Sequence, residues 1–515
     1  ESMIRRNRMM KSEYLKIKGK WKILASLCLA LSFAFAAACG GPASENSSNA
    51  DSSASAGTST GEQSERPTSD SSDTGSGESS SQSSAEEVPE VVYDTSYAPT
   101  LFDAESVSFE TSMLSEGVRL VKNTFSLNNG NVSAVYTLEI DLKKAEIHAG
   151  NTDNVTVGYT WKKSVPNAQA LAWEKATGRQ VLASINADFF GDKCVNAFVK
   201  DGVILKAGHN DKGVYDYRDD AADVPASAPM LFGLKDGKAQ IGPIVGYTGD
   251  VTSAEVKKTL VQAKLVYQGK LSRHTSKLVV EENVAPAADA WALLTSGTYK
   301  VPSGSVVLKL DISEGYGEMA VLEKTTLTKL ETYTPESGCG YLVMHPDYTG
   351  NKSAMRQSAV GDTVSLAVTS PDGKWDGFDT ILGCRQALVT DGEIPDTVAL
   401  ENSNGAQTTD IPRTSIGIKK DGTVVLFAVE SMRYGKKSTS DEDTYGLNLP
   451  EIAQFIRFYG CPNAANFDGG GSTQLIVRQD GQRKVLIRSS DTGSYDLDAS
   501  RPVMNTFLIA AKEGN

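Results

Sequence analysis

Apolar and polar positions alternate through residues 134–150, AVYTLEIDLKKAEIHAG, in the two-residue period of paired strands. The stretch NAQALAWEKATG, 167–178, changes to a helical period and stops at Gly178. VLASINADFF, 181–190, then reads as a short buried strand. Beyond it, Asp-Gly pairs stand between apolar runs at 201–202, 236–237, 391–392, 421–422 and 480–481. Such pairs suit the two left-handed positions of a tight hairpin, and RTSIGIKKDGTVVLFAVE, 413–430, is the clearest hairpin. A second helix is predicted over LPEIAQFIRFYG, 449–460, where Ile452, Phe455, Ile456 and Tyr459 share a face, Pro450 opens the helix and Gly460 closes it.

These elements predict an α+β fold with a large mixed or antiparallel sheet core and flanking helices, preceded by a disordered tether. The folded part divides into residues 97–180, strands and a helix packing onto the main domain, and residues 181–515, the main domain, with 240–335 as a candidate insertion.

The start of the chain has another character. It is basic and is followed by ILASLCLALSFAFAAA, 23–38, without a charge. That run is shorter than the roughly 20 residues of a membrane span and has the order of an export signal. It ends in AAAC, so residues 1–39 are expected to be a lipoprotein-type signal, with Cys39 accepting lipid and anchoring the chain on the outer side of a bacterial cell membrane. An ordinary signal peptide or an uncleaved anchor are the alternatives. Residues 40–96 are Ser, Gly, Thr and acid with few apolar positions. Such a composition cannot offset chain entropy and is expected to be disordered, spanning about 40 Å as a flexible linker.

Without its first 39 residues the chain carries 43 basic and 62 acidic residues, a net charge of −19. This argues against nucleic acid as a partner. Cys194, Cys339, Cys384 and Cys461 are widely spaced with no C-x-x-C, which argues against a zinc ribbon and leaves three disulfide pairings open.

The segment NAANFDGGGSTQLIV, 463–477, places three glycines after Asp468. A phosphate-binding P-loop would need a Lys after the last Gly and a following helix, and a serine elbow would need G-x-S-x-G; neither pattern is present. Two readings remain. The glycines form a tight strand connection, or their amides (Gly469, Gly470, Gly471), with the hydroxyls of Ser472 and Thr473, form an anion cradle beside a catalytic acid. Asn186 and Asp188 in INADFF, Arg413 in IPRTSIGI and Glu430 in FAVESMR stand at strand ends, where sites are built.

Taken in order, INADFF, LGCRQALVTDGEI, PRTSIGIKKDGTVVLFAVES, GLNLPEIAQFIRFYGCPNAANFDGGGSTQLIV and RPVMNTFLIA resemble the phosphodiester glycosidase family over roughly 180–512. The chain departs from that pattern at Ala187, at Glu430-Ser431-Met432-Arg433 and at Arg385-Gln386. The resemblance implies a hydrolase cleaving a glycosyl-1-phosphodiester, with a glycan or glycosyl-phosphate polymer as partner. Asp468 is the expected acid/base, Asp188 or Glu430 the second carboxylate. Arg413, Asn186, the three glycines, Ser472 and Thr473 are the expected phosphate and substrate contacts. No cofactor is required by the sequence; a divalent metal on Asp188 and Asp468 is an open option. The rival expectation is a non-catalytic wall or polysaccharide-binding lipoprotein with the same fold.

Overall fold

The Asp-Gly pairs turn the chain as their chemistry dictates. The computed structural model describes residues 90–513 apart from 209–213, 217–229, 245–259, 263, 273–277, 397, 399–409 and 432–443. In it Asp201 (φ 51°) and Gly202 (φ 74°) join Phe198–Lys200 to Val203–Lys206. Asp236 and Gly237, and Asp480 and Gly481, do the same for two further hairpins. At 421–422 only Gly422 is left-handed, because that hairpin closes through a longer loop between Ile418 and Val424.

Among the described residues three sheets of five or more strands, a barrel and two two-stranded sheets result. The first sheet runs Ser108–Ser115, Val118–Ser126, Val132–Ile140, Val424–Val429, Arg413–Ile418, Asn463–Asn466, Ala387–Val389. The second runs Gln482–Ile487, Leu475–Gln479, Ala183–Asn186, Asn505–Ala511, Ala145–Asn151. The third runs Lys238–Pro243, Met230–Lys235, Thr380–Cys384, Phe198–Lys200, Val203–Lys206. One apolar core joins all three, with Leu426 and Ala465 from the first, Ile185 and Phe507 from the second and Phe232 and Leu382 from the third. Strands from before and after residue 180 pair within the first and second sheets, so the 97–180 segment is part of the same layers.

The strand Val424–Val429 explains its own unbroken apolar run. Val424, Leu426 and Ala428 face the core between sheets, while Val425, Phe427 and Val429 face the helix Leu449–Phe458. A strand covered on both sides has no polar face. The helix starts with a reciprocal cap: the Asn448 side chain accepts from the Glu451 amide (3.0 Å) and the Glu451 carboxylate from the Asn448 amide (2.9 Å). Phe455 stacks on Phe125 with centroids 4.8 Å apart.

Among the described residues strand outweighs helix, 45% against 11%, so the fold is more β-rich than the expected α+β class with a large sheet core and flanking helices. A closed seven-stranded barrel accounts for much of this, in the order Val266–Leu271, Leu278–Glu282, Trp291–Leu294, Cys339–Met344, Val306–Asp311, Met319–Thr326, Thr363–Thr369. The barrel stands in sequence between two strands of the third sheet, and its interior (Leu293, Leu308, Leu342) is continuous with Val199, Leu231 and Ile381 of that sheet. Folding also begins before residue 97: Val91 is buried, Tyr93 stacks on Phe458 at 5.0 Å, and Asp94 pairs with Arg457. Val91 and Tyr93 are apolar enough to be covered although the stretch before them is Ser, Gly, Thr and acid. The signal segment, Cys39, residues 40–89 and Arg433 lie outside the described residues. The four cysteines that were open to pairing are free thiols.

Removing the cap by Asn448→Ala should lower unfolding free energy by about 1 kcal/mol, and Phe455→Ala by about 3–5 kcal/mol. Denaturant unfolding of both variants checks the order; a cap loss as large as the ring loss would contradict this packing.

Candidate functional site

The site begins where two sheets hand the chain across. The strand Asn463–Asn466 belongs to the first sheet and Leu475–Gln479 to the second, so residues 467–474 carry the chain between layers rather than round a hairpin. Four bonds fix the crossing. The Phe467 amide donates to Thr414 O (2.8 Å) and the Asp468 amide to Ala187 O (3.1 Å). Asn186 Nδ2 donates to Asp468 O (2.7 Å), and Thr414 Oγ1 to Asn186 Oδ1 (2.7 Å). Asn186 is therefore a backbone clamp on Asp468, and Thr473, 3.3 Å from Thr414 Oγ1, closes the far side.

Each glycine meets a separate constraint. A Cβ on Gly469 would stand 2.8 Å from Pro412 O; Gly470 is left-handed (φ 60°); a Cβ on Gly471 would stand 2.3 Å from Asp491 Cγ. Two of the three amides are already engaged, Gly469 N–H with Asp468 Oδ1 (3.0 Å) and Gly470 N–H with Pro412 O (2.8 Å). The expected triple-amide cradle is thus a tight crossing whose last glycine faces a carboxylate of the protein itself. Asp491 accepts from Arg501 Nε (2.5 Å), Arg501 Nη1 donates to Ser472 Oγ (3.2 Å), and Ser472 in turn hydrogen-bonds the Asp468 carboxyl. Ser489 Oγ pins Gly471 O at 2.5 Å.

The two leading acids sit in different surroundings. Asp188 is 1% exposed. Its oxygens take the Asn196 amide (2.9 Å) and, at a long 3.4 Å, Asn196 Nδ2, while its own amide donates to Asn505 Oδ1 (2.9 Å). Burial pushes its carboxyl well above the usual range, the Asn196 amide and Lys206 oppose this, and Asp468 adds to it. Asp468 is partly exposed. Burial raises it to about 6, held from going higher by Ser472, Arg501, the Gly469 amide and Arg385. Arg385 is exposed, its guanidinium 5.6 Å from the centroid of Phe189. An acid titrating near neutrality beside two cations can exchange a proton and neutralise an incoming anion.

Arg413 and Glu430 make these described contacts. Arg413 precedes Thr414 on its strand and therefore faces the other side of the sheet. Its Nε donates to Leu447 O (2.5 Å), and burial lowers its pKa to about 10 while Glu451 and Asp410 oppose the shift. Glu430 is buried, its amide bonded to Ala134 O (3.0 Å) and its carboxylate accepting from Thr444 Oγ1 (3.3 Å). None of these contacts is with Asp468. Among the described residues no third His, Cys, Asp or Glu joins Asp188 and Asp468 in a group that could hold a metal ion.

The residues that sequence reasoning missed are Arg501, Asp491, Arg385, Asn196 and Asn505. Arg501 and Asn505 stand in RPVMNTFLIA and Arg385 in LGCRQALVTDGEI, both already singled out as motifs. Around them, Asn466 Oδ1, both amide atoms of Gln474 and Asn505 Nδ2 are buried without a protein partner. Buried polar atoms are ordinarily satisfied, and these four have no partner within the protein.

Residues 322–510 match the phosphodiester glycosidase family. No curated protein matches the chain. Among solved structures, a hypothetical protein from Synechocystis is similar at 17% identity and a TM-score of 0.45, over 79% of this chain. This chain spans 64% of that protein's length. The zebrafish N-acetylglucosamine-1-phosphodiester alpha-N-acetylglucosaminidase catalytic domain, auto-inhibited by its pro-peptide, is similar at 11% identity and a TM-score of 0.37, over 79% of this chain and 89% of that one.

The contact of Asp491 with Gly471 is testable. Gly471→Ala should cost about 1–3 kcal/mol by overpacking. In a double-mutant cycle with Asp491→Gly most of that loss should vanish, a coupling of about 1 kcal/mol or more. Additive losses would mean that the carboxylate does not occupy the place of the missing side chain.

Proposed function

We propose that this phosphodiester glycosidase-like chain hydrolyses a glycosyl-1-phosphodiester, with Asp468 as the acid/base. The observation that carries the reading is a partly exposed carboxyl titrating near 6 on the glycine crossing, flanked by Arg501 and Arg385.

The chemistry follows from the leaving group. Cleavage breaks the bond from the anomeric carbon to the phosphate oxygen, and the electron pair leaves with a phosphate monoester. That group is already a weak base, so it asks for charge neutralisation more than for a proton. Arg501 and Arg385 supply the positive charge, and a guanidinium can meet phosphate with two parallel N–H groups. Asp468, ionised, takes the proton of the water that attacks the anomeric carbon. The products are a reducing sugar and a phosphomonoester. Asp188, fixed by Asn196 and Asn505, is held toward its neutral form by burial, to which the charge of Asp468 adds, and it braces the site rather than touching substrate.

Asp491 shares Arg501 with the incoming phosphate, so substrate binding exchanges one anion for another on that guanidinium. The basic start, the apolar run to Cys39 and the polar tether support a lipid-anchored enzyme outside the bacterial membrane, acting on an envelope or extracellular glycopolymer. The rival reading, a non-catalytic glycan-binding lipoprotein, predicts saturable binding without release of sugar.

With a simple glycosyl-1-phosphodiester as substrate, reducing sugar should appear at a rate that rises with pH through about 6, as Asp468 loses its proton. Asp468→Asn should lower kcat by about 100-fold or more with unchanged unfolding. Arg501→Ala should reduce kcat/KM by about 10-fold or more. Wild-type turnover in Asp468→Asn would remove the assignment, and binding without turnover in the wild type would favour the rival.

A further inference from the structure

A cavity of ≈ 340 Å³ lies where the barrel meets the third sheet, and no residue of the glycine crossing lines it. Its floor is the strand Val203–Lys206, its rim comes from the barrel at Glu281–Asn283 and Thr295–Ser296, and its wall is the loop carrying Tyr159 and Trp161. The proposed hydrolysis makes no use of any of these residues.

The cavity is built and held rigid. Tyr267 of the barrel accepts the Ile204 amide at 2.6 Å and donates to Glu282 at 3.0 Å, tying rim to floor. Tyr316 (2.6 Å) and Thr295 (2.5 Å) also donate to Glu282. Asn283 Oδ1 accepts the amides of Thr295 and Ser296, both at 2.9 Å, and Asn283 O accepts Tyr299 OH at 2.8 Å. Lys206 Nζ donates to the carbonyls of Cys194 (2.5 Å) and Val195 (2.7 Å). A pocket whose lining is already ordered loses little entropy when it is filled.

The lining has two kinds of surface. Trp161 and Tyr159, edge to face at 5.1 Å, present partly exposed aromatic rings. The same lining holds hydrogen-bonding groups of both kinds: the Lys264–Glu281 pair (2.7 Å), Thr295 and the exposed Ser296. An apolar ring face next to close-set donors and acceptors matches a pyranose, which has a C–H face and a girdle of hydroxyls. A purely apolar ligand would cover the Lys264–Glu281 pair and the Ser296 hydroxyl while bonding none of them, and a simple anion would gain nothing from the rings.

We propose that this cavity is a second, non-catalytic glycan-binding site, taking a short sugar segment between the Trp161 and Tyr159 rings and the Lys264, Glu281 and Ser296 rim. The proposal goes beyond the hydrolytic reading and does not depend on it.

Calorimetric titration of the full chain with maltose, cellobiose and N,N′-diacetylchitobiose tests it. At least one should bind saturably with Kd of about 1 mM. Trp161→Ala should weaken that binding about 10-fold or more. Ser296→Arg, made at an exposed position so that folding is spared, should block it by filling the mouth. Asp468→Asn should leave it unchanged, which separates this site from the hydrolytic one. Absence of binding by all three disaccharides below about 10 mM, or binding that survives both cavity variants, overturns the proposal. Binding with no hydrolysis of any phosphodiester leaves this site standing and removes the enzymatic reading alone.

Discussion

The structure depends on one crossing of the chain. Between Phe467 and Gln474 the backbone leaves the first sheet and enters the second, and this segment is bonded to both. Thr414 holds it from one side and Ala187 and Asn186 from the other. The crossing has no room for side chains at Gly469 and Gly471, and its backbone turns left-handed at Gly470. The glycines that looked like a cradle for a foreign anion are first the solution to a steric problem. The site chemistry is a consequence: a carboxylate fixed between two layers is desolvated, and desolvation is what brings Asp468 near neutrality.

The same constraint separates the roles of the acids. Asp188 is enclosed on all sides and its oxygens face Asn196, so it acts through its neighbours. Asp468 is only partly covered and lies in a line that runs through Ser472 and Arg501 to Asp491. That line ties the titration of Asp468 to an ion pair at the edge of the site. A new anion on Arg501 would therefore be felt at the carboxyl without touching it.

Much of this was legible along the chain and some was not. Turn chemistry located the hairpins, since Asp-Gly at 201–202, 236–237 and 480–481 needs only local backbone geometry. The helix 449–458 was readable from its apolar face, Pro450 and Gly460. The side of the sheet on which Arg413 falls was not, because alternation tells that Arg413 and Thr414 diverge but not which face another sheet will cover. Arg501 and Asp491 were hidden for a related reason: their importance comes from Gly471 and Ser472, brought to them by the second sheet. The barrel was the least legible part, as its strands close on one another apart from the motif-bearing segments. The expected α+β class named a large sheet core with flanking helices, and the described residues are richer in strand than that class implies.

The account stands or falls on the ionisation of Asp468. Carbon-13 NMR of the chain labelled at aspartate carboxyls, with the Asp468→Asn chain to identify the resonance, reads it directly. The account predicts a midpoint of about 6 that moves higher when Arg501 is replaced by Ala. A midpoint near 3.8, unmoved by the loss of Arg501, would show a solvated carboxylate and contradict the site described.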